Sequence, residues 1–555
     1  MIRTRSESYL QSVLIAVVAV LVLYPVAWIL FISLTRGGAF SIQSYVQLFS
    51  ERSLLSSFAN SIGVSVAASV IALLFGVPLA FIAVRTDLKY RGLIALFAMI
   101  PFITPAFIGG LAWTVLGAPR TGLLNVAGQW LGLGGPWLNM YSLSGMVFTL
   151  GVYMSPYVFV LTSAVLGAID PTLEEAAAVS GSRAPDIIRS VVLPLAIPGI
   201  AAAALVAFLN SAEQFGIPAI LGRPANIFVL PTEIYSLMNR LPPDTSQASS
   251  AAILLLALST IPITLQRRLL ERRSYVTVTG KGFRQRRFAL GRWRYAAYAI
   301  VVSYAMVAVV LPIAALGLSS VLAAGTFSLA GNTLTLQHYV YLFTAYPATT
   351  RSLINGFIYS VIGSTVALAL AALSAYFIAR HRSALTSTLR ALILFPLVLP
   401  GIVIGTGLLL AYIRPPLLLY GTLWILVVSY ITRFLPFGEQ ASSAALQQID
   451  PSLEDASSVC GAGWFTTWRT VLLPLIRPAL VGAWILLFVS MMRELGTSVL
   501  LYSFGHEVPA VVLFDLLDSG NIGAMSAYAN ILVVLAAAIV FGFQKLLRSE
   551  FAPSA

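Results

Sequence analysis

Runs of about twenty apolar residues recur along the whole chain, and the first of them reads LIAVVAVLVLYPVAWILFISL, Leu14 to Leu34. A helix rises about 1.5 Å per residue, so such a run crosses a hydrocarbon layer of about 30 Å. Twelve runs of this kind can be placed, near 10–34, 58–84, 92–117, 142–168, 191–212, 249–265, 295–319, 354–379, 389–412, 419–446, 471–492 and 524–544. The composition agrees, with 59% hydrophobic and 10% charged residues, where soluble domains carry about a quarter charged. The expected fold is therefore an all-α integral membrane protein. The first run follows a basic start, but it is longer than a signal peptide, lacks an A-x-A exit and has a counterpart in mid-chain, so it is expected to remain as a span.

The twelve runs divide into two sixes that resemble one another outside their apolar parts. FSIQSYVQLF, Phe40 to Phe49, matches LTLQHYVYLF, Leu334 to Phe343. Asn60, Arg85, Pro101 and Pro105 match Asn355, Arg380, Pro396 and Pro400 at one constant spacing. The first half has extra residues, assigned to a Gly-rich outer loop at Ala118–Trp137. The predicted organisation is a repeat at 1–266, a basic linker at 267–294 and a second repeat at 295–555. Six spans is an even number, so the repeats are parallel rather than inverted. Arg3, Arg5, Arg85, Lys89, Arg91, Arg380, Arg390, Lys545 and the arginines of the linker all fall on one side of this arrangement. The positive-inside rule makes that side, with both termini, cytoplasmic. The net charge of +13 is thus a topology signal and gives no reason to expect nucleic acid.

Each half carries one polar interruption of the same form. IDPTLEEAAAVSGSRAPDIIRSVVLPLAIP, from Ile169, aligns without a gap with IDPSLEDASSVCGAGWFTTWRTVLLPLIRP, from Ile449. Asp170 and Asp450 are predicted helix caps, followed by Pro171 or Pro451 in the first turn and by Glu174 and Glu175, or Glu454 and Asp455, near the positive helix end. Gly181 and Gly461 are predicted to end the helix in the left-handed conformation after about ten residues. Ala176, Ala177 and Ala178, matched by Ala456, Ser457 and Ser458, leave a face of small side chains that another protein can approach. Leu193-Pro194 and Leu473-Pro474 then lead into the next span. One such loop would equally suit a helix resting on lipid headgroups; two copies with the same cap, glycine and exit favour docking.

The pattern EAA, three residues, Gly, nine residues, a β-branched residue, one residue, Leu-Pro resembles the signature of permease subunits of bacterial ATP-binding-cassette importers. Here it reads Glu175-Ala176-Ala177, Gly181, Val191, Leu193-Pro194, and the second copy, Asp455-Ala456-Ser457, Gly461, Val471, Leu473-Pro474, keeps the acid and changes only bulk. The fused layout, FGIPAILGRPANIFVLPTEIY from Phe215, TVTGKGFR in the linker and LYSFGHEVPAVVLFDLLDSGNIGAMSA from Leu501 resemble the ferric-iron-type permeases, relatives of thiamine and aminophosphonate permeases. The resemblance implies a type I importer-like fold in a bacterial inner membrane. It also implies two coupling helices for two copies of a separate ATPase subunit, and an external substrate-binding protein that selects the cargo.

The remaining candidates are few. TGKG at Thr279–Gly282 departs from the phosphate-loop pattern, with Tyr275 where a glycine is needed and Gly282 where a hydroxyl is needed, so ATP hydrolysis is assigned to another chain and no catalytic residue is expected. His338, His381 and His506 have no ligand spacing to one another or to the lone Cys460, and neither a resident metal nor a cofactor is expected. Glu213, Arg493 and Glu494 each follow an apolar span by about a bilayer thickness from the short helix and are candidates for an outer gate. A transporter driven by an ion gradient would place acids in mid-span, and a membrane enzyme would cluster nucleophiles at one face; the sequence favours neither.

Overall fold

The computed structural model describes residues 5–132, 134–271, 287–326, 333–381 and 383–551. Among them nine helices are long and apolar enough to cross a membrane, or up to eleven if each of two bent pairs is one span. In chain order the long elements are α1 (Arg5–Ser33), α2 (Arg52–Arg85), the broken α3 (Arg91–Ile103 with Ala106–Gly117), α4 (Leu143–Ala168), α5 (Ala184–Ala212) and α6 (Thr245–Glu271). The second set is α7 (Gly291–Val321), α8 (Ala348–Arg380), the broken α9 (Ala384–Val398 with Gly401–Tyr412), α10 (Leu423–Leu446), α11 (Trp464–Met492) and α12 (Ile522–Phe551). The twelfth, α10, is long enough but falls outside the apolar set, for it carries Arg433 and Glu439. Leu30, Leu74, Ile261 and Val534 point outward as an apolar rim suited to lipid.

Two predicted straight spans are bent, and proline accounts for the break. A residue before proline is pushed out of the helical region. Thr104 before Pro105 and Leu399 before Pro400 are accordingly extended, at ψ 134° and 110°. Each proline then caps the second half of its span, and the two halves of α9 meet at 110°. The Gly-rich stretch read as a loop contains a further helix, Leu123–Trp130. Asn125 fixes it by donating through Nδ2 to the carbonyls of Ala118, at 2.9 Å, and Leu138, at 2.7 Å. The matched segments after the first spans become short helices in both halves, Gln43–Ser50 and Gln337–Thr344.

Small residues set the packing within the first half. On α2, Ser57, Ser61, Ser65 and Ser69 recur every fourth residue and are buried, each hydroxyl bonded to the carbonyl one turn back. A Cβ at Gly76 would lie 2.6 Å from the Val158 side chain, and one at Gly151 would lie 2.5 Å from that of Ile71, so α2 and α4 approach closely because glycine stands at both contacts. The first span of each half packs on the other half. α1 lies against both parts of α9, with Gln11 Nε2 donating to Thr386 Oγ1 at 3.1 Å and Tyr24 beside Tyr412. α7 lies against α3 and α4, and its Tyr304 hydroxyl is 2.9 Å from that of Ser155.

Candidate functional site

The two polar interruptions form matching short helices, Pro171–Val179 and Ser452–Val459. Asp170 Oδ1 accepts from the Thr172 N–H at 2.9 Å, and Asp450 Oδ1 from the Ser452 N–H at 2.8 Å. The Ser452 bonds hold the Asp450 carboxyl below its usual range. The first helix starts at its proline as expected; the second is helical from Ser452, one residue later, with Pro451 in the capping position. Gly181 and Gly461 adopt φ +86° and +81°. Around them Gly181 N bonds Ala178 O and Ser182 N bonds Ala177 O, a Schellman termination repeated at Gly461 to Ser458 and Ala462 to Ser457.

The paired acids divide their roles, which the sequence reading did not foresee. Glu174 and Glu454 turn inward and are buried, whereas Glu175 and Asp455 are exposed. Glu174 Oε1 lies 2.8 Å from Arg85 Nη1, with both side chains fully buried. In the second half Arg380 Nε lies 2.6 Å from Glu454 Oε1. Arg380 Nη2 also donates to the carbonyls of Leu446 and Ile449 at 3.3 and 3.1 Å. Each arginine is the last residue of its span, so the ion pair ties the short helix to the end of α2 or α8. The outward faces present Leu173, Ala176 and Val179 in one copy and Leu453, Ala456 and Val459 in the other, all exposed. Val179 and Val459 reach 91% and 87% exposure. Ala177 is half-buried against the core.

The Leu-Pro exits join the short helices to the spans through a distinctive backbone. Residues Ile188–Val192 and Trp468–Leu472 form π turns, in which Leu193 N bonds Ile188 O and Leu473 N bonds Trp468 O. Pro194 and Pro474 follow directly. A proline ring crowds the carbonyl four residues back and has no N–H for it, and a widened turn at that place is where such a helix gives. Leu311-Pro312 in α7 is preceded by the same feature at Met306–Val310.

The linker makes the two sites unequal. Its far end returns to the first one, where Phe288 N donates to Arg85 O at 2.8 Å, Asp87 N to Phe288 O at 3.2 Å and Leu290 N to Asp87 Oδ1 at 3.0 Å. The Phe288 ring stacks on Phe81, with centroids 6.3 Å apart. The second site has no such visitor among the described residues; Tyr376, aligned with Phe81, packs on Trp464 and Trp468 of its own repeat. The TGKG stretch lies outside the described residues.

At the far ends of α5 and α11 the candidate gate residues Glu213 and Glu494 are near one another. Glu213 and Glu494 are joined by Arg433 of α10, whose Nη2 is 3.5 Å from Glu213 Oε1 and whose Nε is 3.2 Å from Glu494 Oε2. Glu494 Oε1 also accepts from the Thr497 N–H at 3.1 Å. Arg493 donates through Nη1 to the Phe102 carbonyl and lies over the Phe102 ring.

Two stretches of the chain, 72–275 and 367–551, match the family described as binding-protein-dependent transport system inner membrane component. The chain belongs to this family. The permease is 26% identical over 97% of its length to a ferric transport system permease protein of Actinobacillus pleuropneumoniae, of which 78% is covered. It is 27% identical over 88% of its length to a putative ferric transport system permease protein of Haemophilus influenzae, of which 76% is covered. It is also similar, at 20% identity and a TM-score of 0.37 over 44% of this chain and 87% of the other, to a solved bacterial transporter involved in importing alginate. The expected fused permease, a multi-pass inner-membrane protein with ferric transport permeases among its relatives, is thus found.

Proposed function

We propose that this permease forms the path of an ATP-driven importer for ferric iron, that an external binding protein delivers the iron, and that two separate ATPase subunits dock on the helices Pro171–Val179 and Ser452–Val459. The observation that carries the docking role is the doubled geometry of those helices: a buried acid anchored on the end of a span, and an exposed Leu-Ala-Val stripe facing away. The anchoring residues are Glu174 and Glu454. The docking face is Leu173, Glu175, Ala176 and Val179, with Asp455, Ala456 and their neighbours in the second copy. Gly181 and Gly461 end the helices, and Leu193-Pro194 and Leu473-Pro474 pass the movement into α5 and α11. Both termini lie on the cytoplasmic side, and the chain divides into repeats 1–266 and 295–555 joined by the basic linker 267–294.

Iron is favoured by the ferric permeases that match across 97% and 88% of the chain. A putative 2-aminoethylphosphonate permease of Salmonella paratyphi A matches over only 28% of it, though at 31% identity. Reconstituted in vesicles with its ATPase and binding protein, the complex is expected to hydrolyse ATP faster with iron-loaded than with empty binding protein and to accumulate iron. Stimulation by a phosphonate or thiamine ligand in place of iron would replace the cargo and keep the class. The purified permease alone is expected to show no ATP hydrolysis; activity that follows this chain through purification would overturn the division of labour.

A further inference from the structure

Arg433 stands midway along α10, three residues before Pro436, and the aligned position in α4, three residues before Pro156, is Tyr153. Only the second repeat therefore places a cation here, and it contacts one carboxylate from each repeat, Glu213 at 3.5 Å and Glu494 at 3.2 Å. The surroundings make room for it. A Cβ at Gly401 would collide with the guanidinium, and one at Gly496 would come within 3.2 Å of Glu494 Oε1. The three side chains keep 18%, 25% and 10% of their surface exposed, unlike the sealed Arg85–Glu174 pair, so this bridge is able to part. Arg493, next to Glu494 in the chain, donates to the Phe102 carbonyl.

We propose that Arg433 is the positioning residue that latches the two repeats together in the resting permease, and that its release from Glu213 accompanies opening of the path. The inference rests on the permease reading above. Without the cation, two carboxylates face each other in a site of low dielectric, where like charges repel strongly. The resting arrangement then loses its advantage over the open one.

The test uses the full complex in vesicles, with ATPase rate measured with and without iron-loaded binding protein. Wild-type complex that binding protein fails to stimulate would defeat the permease reading before Arg433 is in question. Given that stimulation, Arg433→Gln is expected to raise the rate without binding protein at least about fivefold, the lower end of an ordinary coupling free energy. Arg433→Lys should restore the low rate, and adding Glu213→Gln to Arg433→Gln should lower it by removing one of the two repelling charges. Should Arg433→Gln fail to accumulate, Glu213→Gln alone, which removes the contact between the repeats and leaves Arg433 on Glu494, is expected to raise the resting rate while the complex stays stimulable. A wild-type resting rate in Arg433→Gln at normal amounts would overturn the latch. So would a raised rate in Arg433→Gln that neither lysine nor added Glu213→Gln reduces, or a wild-type resting rate in Glu213→Gln alone at normal amounts.

Discussion

Arg85→Ala is expected to abolish stimulated ATP hydrolysis and to lower the amount of folded permease, because it leaves the Glu174 carboxylate buried without its counter-charge. Removing one partner of a buried ion pair costs about 3–5 kcal/mol, and both side chains here are fully buried. The counterpart, Arg380→Ala, is expected to cost less, since Arg380 keeps 12% of its side chain exposed and water can reach the gap. Thermal inactivation of the purified variants, with ATPase capture as a second readout, checks the order. Replacing both partners with Ala should be milder than Arg85→Ala alone, because nothing charged is left stranded; equal losses in the single and double variants would show that the pair does not anchor the short helix.

The double variant Gly181→Asp with Gly461→Asp is expected to lose most iron uptake while remaining in the membrane. No atom lies within 4 Å of a Cβ at either glycine, so the effect is not a clash. It comes from the backbone, held at φ +86° and +81°, where an L-residue costs roughly 1–2 kcal/mol. A carboxylate at the negative end of the helix adds a further loss of about 0.3–1 kcal/mol. Asparagine tolerates this conformation and adds no charge, so Gly181→Asn with Gly461→Asn should retain most uptake. Uptake at the wild-type rate in the aspartate pair, measured at matched membrane amounts, would remove the short helices from the proposed coupling route.

The spans and the two short helices were legible because their signals are local: a run of apolar residues, an Asp-Pro start, a glycine stop. The doubling of the chain made each signal stronger, and Asn60 and Asn355 show that aligned polar residues keep their task. The first donates to the Phe228 carbonyl, the second to those of Gly505 and Glu507. What stayed hidden needs knowledge of facing side chains. Arg85 and Arg380 read as topology charges at span ends, and their matched positions beside matched acids were the one available hint of pairing. Arg433 is hidden within the largely apolar run of α10, and a single cation inside a span reads as noise until the helix facing it is known. Arg493 adjoins Glu494 in the chain, but neighbours in sequence on a helix end point different ways, and its contact with Phe102 across the fold has no sign in the sequence.

Phe288 gives the fusion of the two repeats a chemical reason. The carbonyl of Arg85, at a helix end, needs a donor, and the flat face of Phe81 needs a cover; the end of the linker supplies both before α7 begins. Dividing the protein between 271 and 287 would therefore leave the cover on the wrong piece, and the first repeat expressed alone would show a bare aromatic ring and an unanswered carbonyl beside its own docking helix. Dividing it after Leu290 would send Phe288 with the first repeat, so the position of the cut, rather than the loss of continuity, should decide whether the halves can be made as two chains.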